Sequence, residues 1–385
     1  MSSAEHRLLR QTLQNFVAKE IEPGALERDQ KEHFDLNLFR KLADLGLLGI
    51  TAPEIYGGSE MDAVAAVITH EELAYSDPGL CLAYLAHAML CVNNLAVNAS
   101  ESQKKTYLPK LCSGEWVGCM AMSEPDVGTD ILGMKTSAKR IDNHYVINGR
   151  KMWITNGVLD ASGKPADITY LYAKTGEQIS TFIVTPDCEG FSVGQKIMGK
   201  TGMRASSTAE LVFENAKVPV ENLVGEEGDS IKHMMRNLEI ERVTLAAIGL
   251  GIGKRCLDIM IGYANERKAF GKPIAAFGQI QQHIANSYAE YQAASAYVYQ
   301  TAQSDMSRLN SDGVKLIAAP MAKKVADSAM QVLGGNGYVS EYVAERLWRD
   351  AKLLEIGGGT LEAHQKNISA DLLKRGGFES CGDRF

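Results

Sequence analysis

The chain has 385 residues, of which 23% are charged and 45% hydrophobic, and its formal net charge is −7. That length and balance suit a globular protein of roughly two to three domains. The acidic surplus argues against nucleic-acid binding, which needs a basic face, and no apolar run of about eighteen residues announces a membrane span.

The seven cysteines (Cys81, Cys91, Cys112, Cys119, Cys188, Cys256 and Cys381) are scattered, with no CxxC pair or His/Cys cluster. Neither a zinc site nor a disulfide framework is expected, and a reducing compartment suits them better. No apolar signal core or Arg-rich transit segment opens the sequence. The expected location is cytoplasmic for a bacterial source and the mitochondrial matrix for a processed eukaryotic one.

From Glu5 to about Leu111 the pattern is helical. Leu8, Leu9, Leu13, Phe16 and Val17 recur at three- and four-residue spacing, as do Phe39, Leu42, Leu45 and Leu48. Ala63 to Ala74 and the apolar block Leu80 to Ala96 predict further helices, the second one buried. Between about Cys119 and Val224 the texture changes to short β-branched and aromatic runs. These are Tyr145-Val146-Ile147, Met152-Trp153-Ile154-Thr155, Ile168 to Tyr172 and Thr181 to Val184, separated by turn formers such as Asn148-Gly149. They predict antiparallel strands. From about Asp229 to Lys374 long helical segments return, broken at Gly334 to Gly337 and Gly357 to Gly359. The expected domains are helical over residues 1–118, β over 119–226 and helical again over 227–385.

One residue breaks its pattern. Leu238, Glu241, Leu245, Ile248 and Ile252 share a helix face, and four of the five are aliphatic. A carboxylate on a buried face costs several kcal/mol unless it is paired or protonated. A salt bridge to another helix is one reading; a general base tuned by desolvation is the other.

Three loops add candidates. Met122 to Asp130 packs small, hydroxyl and glycine residues around a proline, which allows backbone to approach a ligand. Trp153 and Thr155 lie two apart on a strand and could stack on and hydrogen-bond a flat heterocycle. Gln331 to Tyr338 is a glycine-rich turn after an apolar helix, as a C-cap or a diphosphate site would be. Gly249-Leu250-Gly251-Ile252-Gly253 follows helical rather than strand sequence, so it is not a dinucleotide fingerprint.

Taken together and in this order, the Met-Ser-Glu-Pro loop, the Trp-Ile-Thr strand, Arg267-Lys268-Ala269-Phe270-Gly271 and Gln331 to Tyr338 resemble the acyl-CoA dehydrogenase family over nearly the whole chain. The resemblance implies that family's α+β multi-domain fold: an N-terminal helical domain, a middle antiparallel β domain and a C-terminal four-helix bundle. Gly49 to Pro53, Tyr107 to Leu111 and Asp350 to Leu353 are most similar to the branch that oxidises isovaleryl-CoA. Many members carry their base just before a Gly-Thr pair, here Gly359-Thr360, but Gly358 stands there. In the isovaleryl branch the base sits in a Leu-Glu-Arg helix setting, which Leu238 to Arg242 resemble. The resemblance thus points to Glu241, with Glu239 and Glu355 as runners-up.

By the same resemblance the cofactor is FAD and the reaction forms a 2-enoyl-CoA. Met122, Ser123, Trp153 and Thr155 should contact the flavin. Arg267, Phe270, Gln281, Gln331, Gly334 and Gly335 should serve the adenine and diphosphate end, partly from a neighbouring subunit. Thr360 and Glu362 are further cofactor contacts. The Gly358 N–H should bind the thioester oxygen, and Thr129 and Arg242 should border the acyl-CoA. The implied partners are electron-transferring flavoprotein and three further copies in a homotetramer. The chain departs from the family pattern at Leu85, Gly278, Leu361 and His364-Gln365. Open alternatives are another branched or cyclic acyl-CoA, a carrier-bound acyl or aminoacyl group, and a flavin-binding protein with little turnover.

Overall fold

The computed structural model describes residues 3–304 and 306–376. The chain divides into two compact units, Met1–Thr69 with Asp77–Leu238 and His70–Ser76 with Glu239–Phe385. The order along the chain is helices, then sheet, then helices, as the resemblance implied.

In the first unit the helices are α1 (Ala4–Phe16), α2 (Ala25–Gln30), α3 (Leu36–Lys41), the first half of α4 (Ala63–Ser76), α5 (Pro78–Leu85), α6 (Asn93–Asn98) and α7 (Glu101–Cys112). Their starts carry clear chemical signals. Ser3 and Ser100 each close a capping box, with His6 and Gln103 as the third helical residues. Asp77 caps α5 ahead of Pro78. A π-helical stretch, Ala86–Val92, joins α5 to α6. The resulting helix Pro78–Asn98 is long and apolar enough to cross a membrane by composition, with a mean hydropathy of 1.7, which the reading of the sequence had missed. It is 89% buried inside the protein, as a core helix is.

Eight strands form one sheet: β1 (Gly118–Ala121), β2 (Ser137–Ile141), β3 (His144–Thr155), β4 (Ile168–Thr175), β5 (Gln178–Val184), β6 (Phe191–Lys196), β7 (Thr208–Pro219) and β8 (Leu223–Val224). The order is β6-β7-β3-β2-β4-β5-β8, with β1 also on β4. Pairing is antiparallel except that β1 and β2 run parallel to β4. Residues of β4 alternate between two cores: Tyr170 and Tyr172 pack with Leu95, Leu108 and Leu111, whereas Leu171 and Ala173 pack with Tyr145, Phe182 and Phe213. Burial on both faces explains why this strand reads as a continuous apolar run.

One expectation needs correcting. Asn148-Gly149 is not a turn between two strands. Tyr145 to Thr155 is a single strand that pairs with β7 throughout, bulged between Ile147 and Gly149 and again between Lys151 and Ile154. Bulges absorb the extra residues that a turn would otherwise explain.

The second unit contains α8 from Glu239 (the helix as a whole is Ser230–Glu266), α9 (Gly278–Gln303), α10 (Arg308–Leu333), α11 (Val343–Leu354) and α12 (Leu361–Arg375). A short hairpin, β9 (Lys268–Ala269) and β10 (Lys272–Pro273), sits between α8 and α9. Its turn residues Phe270 and Gly271 both have positive φ, 50° and 79°, as a two-residue hairpin turn requires. The glycines of 249–253 lie inside α8. A Cβ on Gly251 would come within 2.3 Å of the Glu71 carbonyl oxygen, and one on Gly249 within 3.0 Å of the Ala318 carbonyl oxygen. They admit neighbouring helices, not a nucleotide.

Candidate active site

In the second unit, Glu241 is buried on α8 beside Leu245, Ile248 and Ile252. Among the described residues its carboxylate makes no hydrogen bond or salt bridge. Burial raises its pKa, while the nearby charges of Arg242 and Lys315 pull it back down. The salt bridge that the sequence left open as an explanation is therefore not formed. Arg242 spends its guanidinium on Asp312, 3.0 Å away, and the Lys315 ammonium donates to backbone.

Gly358 faces this carboxylate. Its φ is +68°, and a Cβ built on it would lie 2.2 Å from Leu245 Cδ1 and 3.4 Å from Glu241 Oε1. The missing side chain is what leaves room for the acid on α8. The loop carrying Gly358 is held on both sides. Lys315 Nζ donates to the carbonyls of Leu354 at 2.5 Å and Gly357 at 2.8 Å. On the far side, His364 Nε2 lies 3.0 Å from the Gly359 carbonyl oxygen, and its Nδ1 lies 2.6 Å from Asp312 Oδ1. Thr360 caps α12 by accepting from the Ala363 N–H. Of the other candidate bases, Glu355 is paired with Lys352 at 2.6 Å, and Glu239 is half-buried with its charge acting on Arg308.

The first unit holds the other cluster. Met122 is buried, Ser123 half-buried and Thr129 exposed on the loop after β1. Ser123 Oγ donates to the Met152 carbonyl at 2.7 Å, and the Met152 N–H donates to the Ser123 carbonyl at 2.9 Å. A residue the sequence did not suggest fixes this loop. Lys151 is fully buried in β3, and its Nζ donates to the Met122 carbonyl at 2.8 Å and to Glu124 Oε1 at 3.0 Å. The Glu124 carboxylate also accepts from the N–H groups of Lys135 and Thr136. Only the oddity of a lysine amid apolar strand residues could have flagged it.

Trp153 has φ of +66° and is 61% exposed, and Thr155 is half-buried. The bulge at Trp153 means that simple strand alternation does not relate the two side chains.

In the second unit Arg267, Phe270, Gln281, Gln331, Gly334, Gly335 and Glu362 are all exposed. Gln281 Nε2 reaches the Ala275 carbonyl. Gly334 ends α10 with φ of +61°, and a Cβ on it or on Gly335 would meet nothing within 4 Å. Each unit by itself offers groups suited to part of a flavin dinucleotide. In the first, an indole displayed by a strand bulge has a flat face and Ser123 and Thr155 carry hydroxyls; in the second, the open Gly334-Gly335 backbone would admit a close approach and Arg267 carries a cation suited to phosphate.

Comparison with known proteins identifies the family. The N-terminal, middle and C-terminal domain models of acyl-CoA dehydrogenase match residues 3–115, 119–216 and 228–373. A mitochondrial isovaleryl-CoA dehydrogenase of Oryza sativa subsp. japonica is 43% identical over 376 residues, covering 95% of this chain and 90% of its own. A mitochondrial 2-methylacyl-CoA dehydrogenase of Solanum tuberosum is 40% identical over the same length. The solved butyryl-CoA dehydrogenase of Megasphaera elsdenii superposes with a TM-score of 0.91 at 34% identity, over 96% of this chain and 98% of that one. Matched along nearly its whole length by all three domains, the chain belongs to the acyl-CoA dehydrogenase family of FAD-dependent oxidoreductases.

Proposed function

We propose that the protein converts a short branched acyl-CoA, isovaleryl-CoA foremost, to its 2-enoyl-CoA, with Glu241 as the base. One observation carries this reading. A buried carboxylate with no hydrogen-bond partner of its own stands beside a glycine that has no room for a side chain. An acid kept dry and unpartnered is poised to accept a proton.

Glu241 takes the α-proton as the Cα–H bond breaks. The Gly358 N–H donates to the thioester oxygen, where negative charge grows as that proton leaves. FAD, when bound, supplies the acceptor for the hydride released from the β-carbon, so that the two broken C–H bonds are replaced by a C=C bond. Met122, Ser123, Trp153 and Thr155 hold the ring system. Arg267, Phe270, Gln281, Gln331, Gly334, Gly335, Thr360 and Glu362 hold the rest of the dinucleotide, some of them for a neighbouring copy in a homotetramer. Thr129 and Arg242 border the acyl-CoA, one guanidinium nitrogen of Arg242 being held by Asp312. Electrons then leave to electron-transferring flavoprotein. Identity of 43% to an isovaleryl-CoA dehydrogenase supports that substrate over the others.

The test is anaerobic titration of the holoenzyme with isovaleryl-, 2-methylbutyryl- and butyryl-CoA, following flavin absorbance. Isovaleryl-CoA should bleach the flavin first. Glu241→Gln should keep FAD and bind acyl-CoA, yet turn over about 10²–10⁴-fold more slowly. An active Glu241→Gln enzyme would move the base to Glu355, and bleaching by none of the three would rule out this substrate class.

A further inference from the structure

The buried lysine of α10 does more than fill a hole. Lys315 is fully buried, and its ammonium has no carboxylate within salt-bridge distance among the described residues; its two hydrogen bonds go to the carbonyls of Leu354 and Gly357. The Gly357 carbonyl belongs to the same peptide group as the Gly358 N–H. Across a planar trans peptide these two point in opposite directions, so a donor fixed on the oxygen fixes the heading of the N–H. A cation on the oxygen also draws electron density through the peptide, which makes the N–H a stronger donor; hydrogen bonds in series reinforce each other in this way.

We infer that Lys315 is a positioning residue for the reaction, orienting and polarising the Gly358 N–H through the Gly357 carbonyl so that it binds the thioester oxygen more tightly as that oxygen gains charge. The inference rests on the reading of Gly358 given above.

The geometry explains why a lysine is used here. An uncharged donor could tether the loop equally well, and burying an ammonium carries a desolvation cost that tethering alone does not require. The groups facing Lys315 are Glu241 and Arg242 from α8, Asp312 on its own helix, and Glu355 after α11. Burial pushes the Lys315 pKa down to about 8, with Glu241 the foremost charge opposing that shift. The cation is therefore lost as pH rises through about 8, and with it the polarisation of the peptide, although the neutral amine can still donate.

The experiment compares wild-type, Lys315→Gln and Lys315→Met holoenzymes with bound 3-methylcrotonyl-CoA labelled with ¹³C at the thioester carbonyl. It reads the infrared stretch of that carbonyl together with kcat and KM for isovaleryl-CoA. In the wild type the stretch should move to lower frequency on binding. Lys315→Gln, which keeps N–H donors but not the charge, should lose most of that shift and about 10- to 100-fold in kcat, with KM little changed; this is somewhat less than the loss of an entire oxyanion donor. An unchanged shift and kcat in Lys315→Gln would overturn the inference while leaving the Gly358 reading intact. Should neither variant fold, the wild type still decides. Its carbonyl shift should weaken as pH is raised through about 8, and a shift flat across that range overturns the role of Lys315. No shift in the wild type at any pH would instead overturn the Gly358 reading itself, and the inference with it.

Discussion

Gly358 combines a left-handed backbone, φ +68°, with a neighbour that excludes any side chain, Leu245 Cδ1 lying 2.2 Å from where a Cβ would be. Either feature alone would favour glycine; together they make the acid on α8 and the bare loop parts of one arrangement. Gly358→Ala should cost about 1–3 kcal/mol in stability from backbone strain and overpacking. Because relief would come by moving the loop, kcat/KM should fall by about 100-fold, the scale of a lost oxyanion donor. Thermal denaturation and steady-state kinetics on the same preparation would check both numbers, and full activity would mean that the loop tolerates displacement and does not hold the thioester. At this scale the sequence was readable where a residue broke its own local pattern. Glu241 stood out because four aliphatic residues share its face. Asp312 and His364 gave no such sign: each is ordinary in its own helix, and they meet across 52 residues of chain.

Elements were legible where the period was strong and blurred where bulges or buried charge intervened. The N-terminal helices, the strands β4 and β5 and the long C-terminal helices follow from periodicity and capping residues. The unity of β3 did not, since Asn148-Gly149 looks like a turn until pairing with β7 carries the strand past it. Lys151, whose burial lowers its pKa to about 8 against the charge of Glu124, has no partner close by in sequence to announce it, Glu124 lying 27 residues away. His87 shows how one buried polar group ties elements together. Its Nδ1 accepts from the Gly118 N–H of β1 at 3.0 Å, and its Nε2 donates to the Leu111 carbonyl of α7 at 3.2 Å. Burial holds its pKa down at about 4, outweighing the Leu111 bond and the charge of Asp167. A folded-state value below the ordinary one means that stability is full above about pH 6.5 and is lost progressively as pH falls toward about 4, by on the order of 3 kcal/mol. Thermal midpoints of the wild type should therefore drop between pH 7 and pH 5 more steeply than those of His87→Asn, which has no proton to gain. Parallel slopes would remove His87 from the acid response.

For the whole molecule the question is what the second unit's exposed apolar groups are for. Phe270 is 95% exposed and Tyr338 83%, and Tyr288 and Val339 are also open. Phe270 is further held at φ +50° in its hairpin turn, edge-on to Phe277 with ring centroids 6.0 Å apart. Large rings left in water forgo about 25 cal/mol for each Å² of apolar surface, and an aromatic side chain can bury about 150–250 Å². A strained backbone that presents such a ring outward is unfavourable for an isolated chain and favourable for one that meets copies of itself. Phe270 neighbours Arg267 in sequence, and Tyr338 and Val339 neighbour the Gly334-Gly335 turn, so assembly and cofactor retention should be coupled. The holoenzyme should sediment as four copies. Phe270→Asp should split that assembly and weaken FAD retention together, because the charge must then be desolvated at the same contact. Sedimentation velocity with simultaneous detection at the flavin and protein wavelengths separates the cases. A Phe270→Asp protein that stays tetrameric would take the ring out of the interface, and one that dissociates while holding its full FAD would break the link between assembly and cofactor, leaving the dinucleotide to the residues of a single chain.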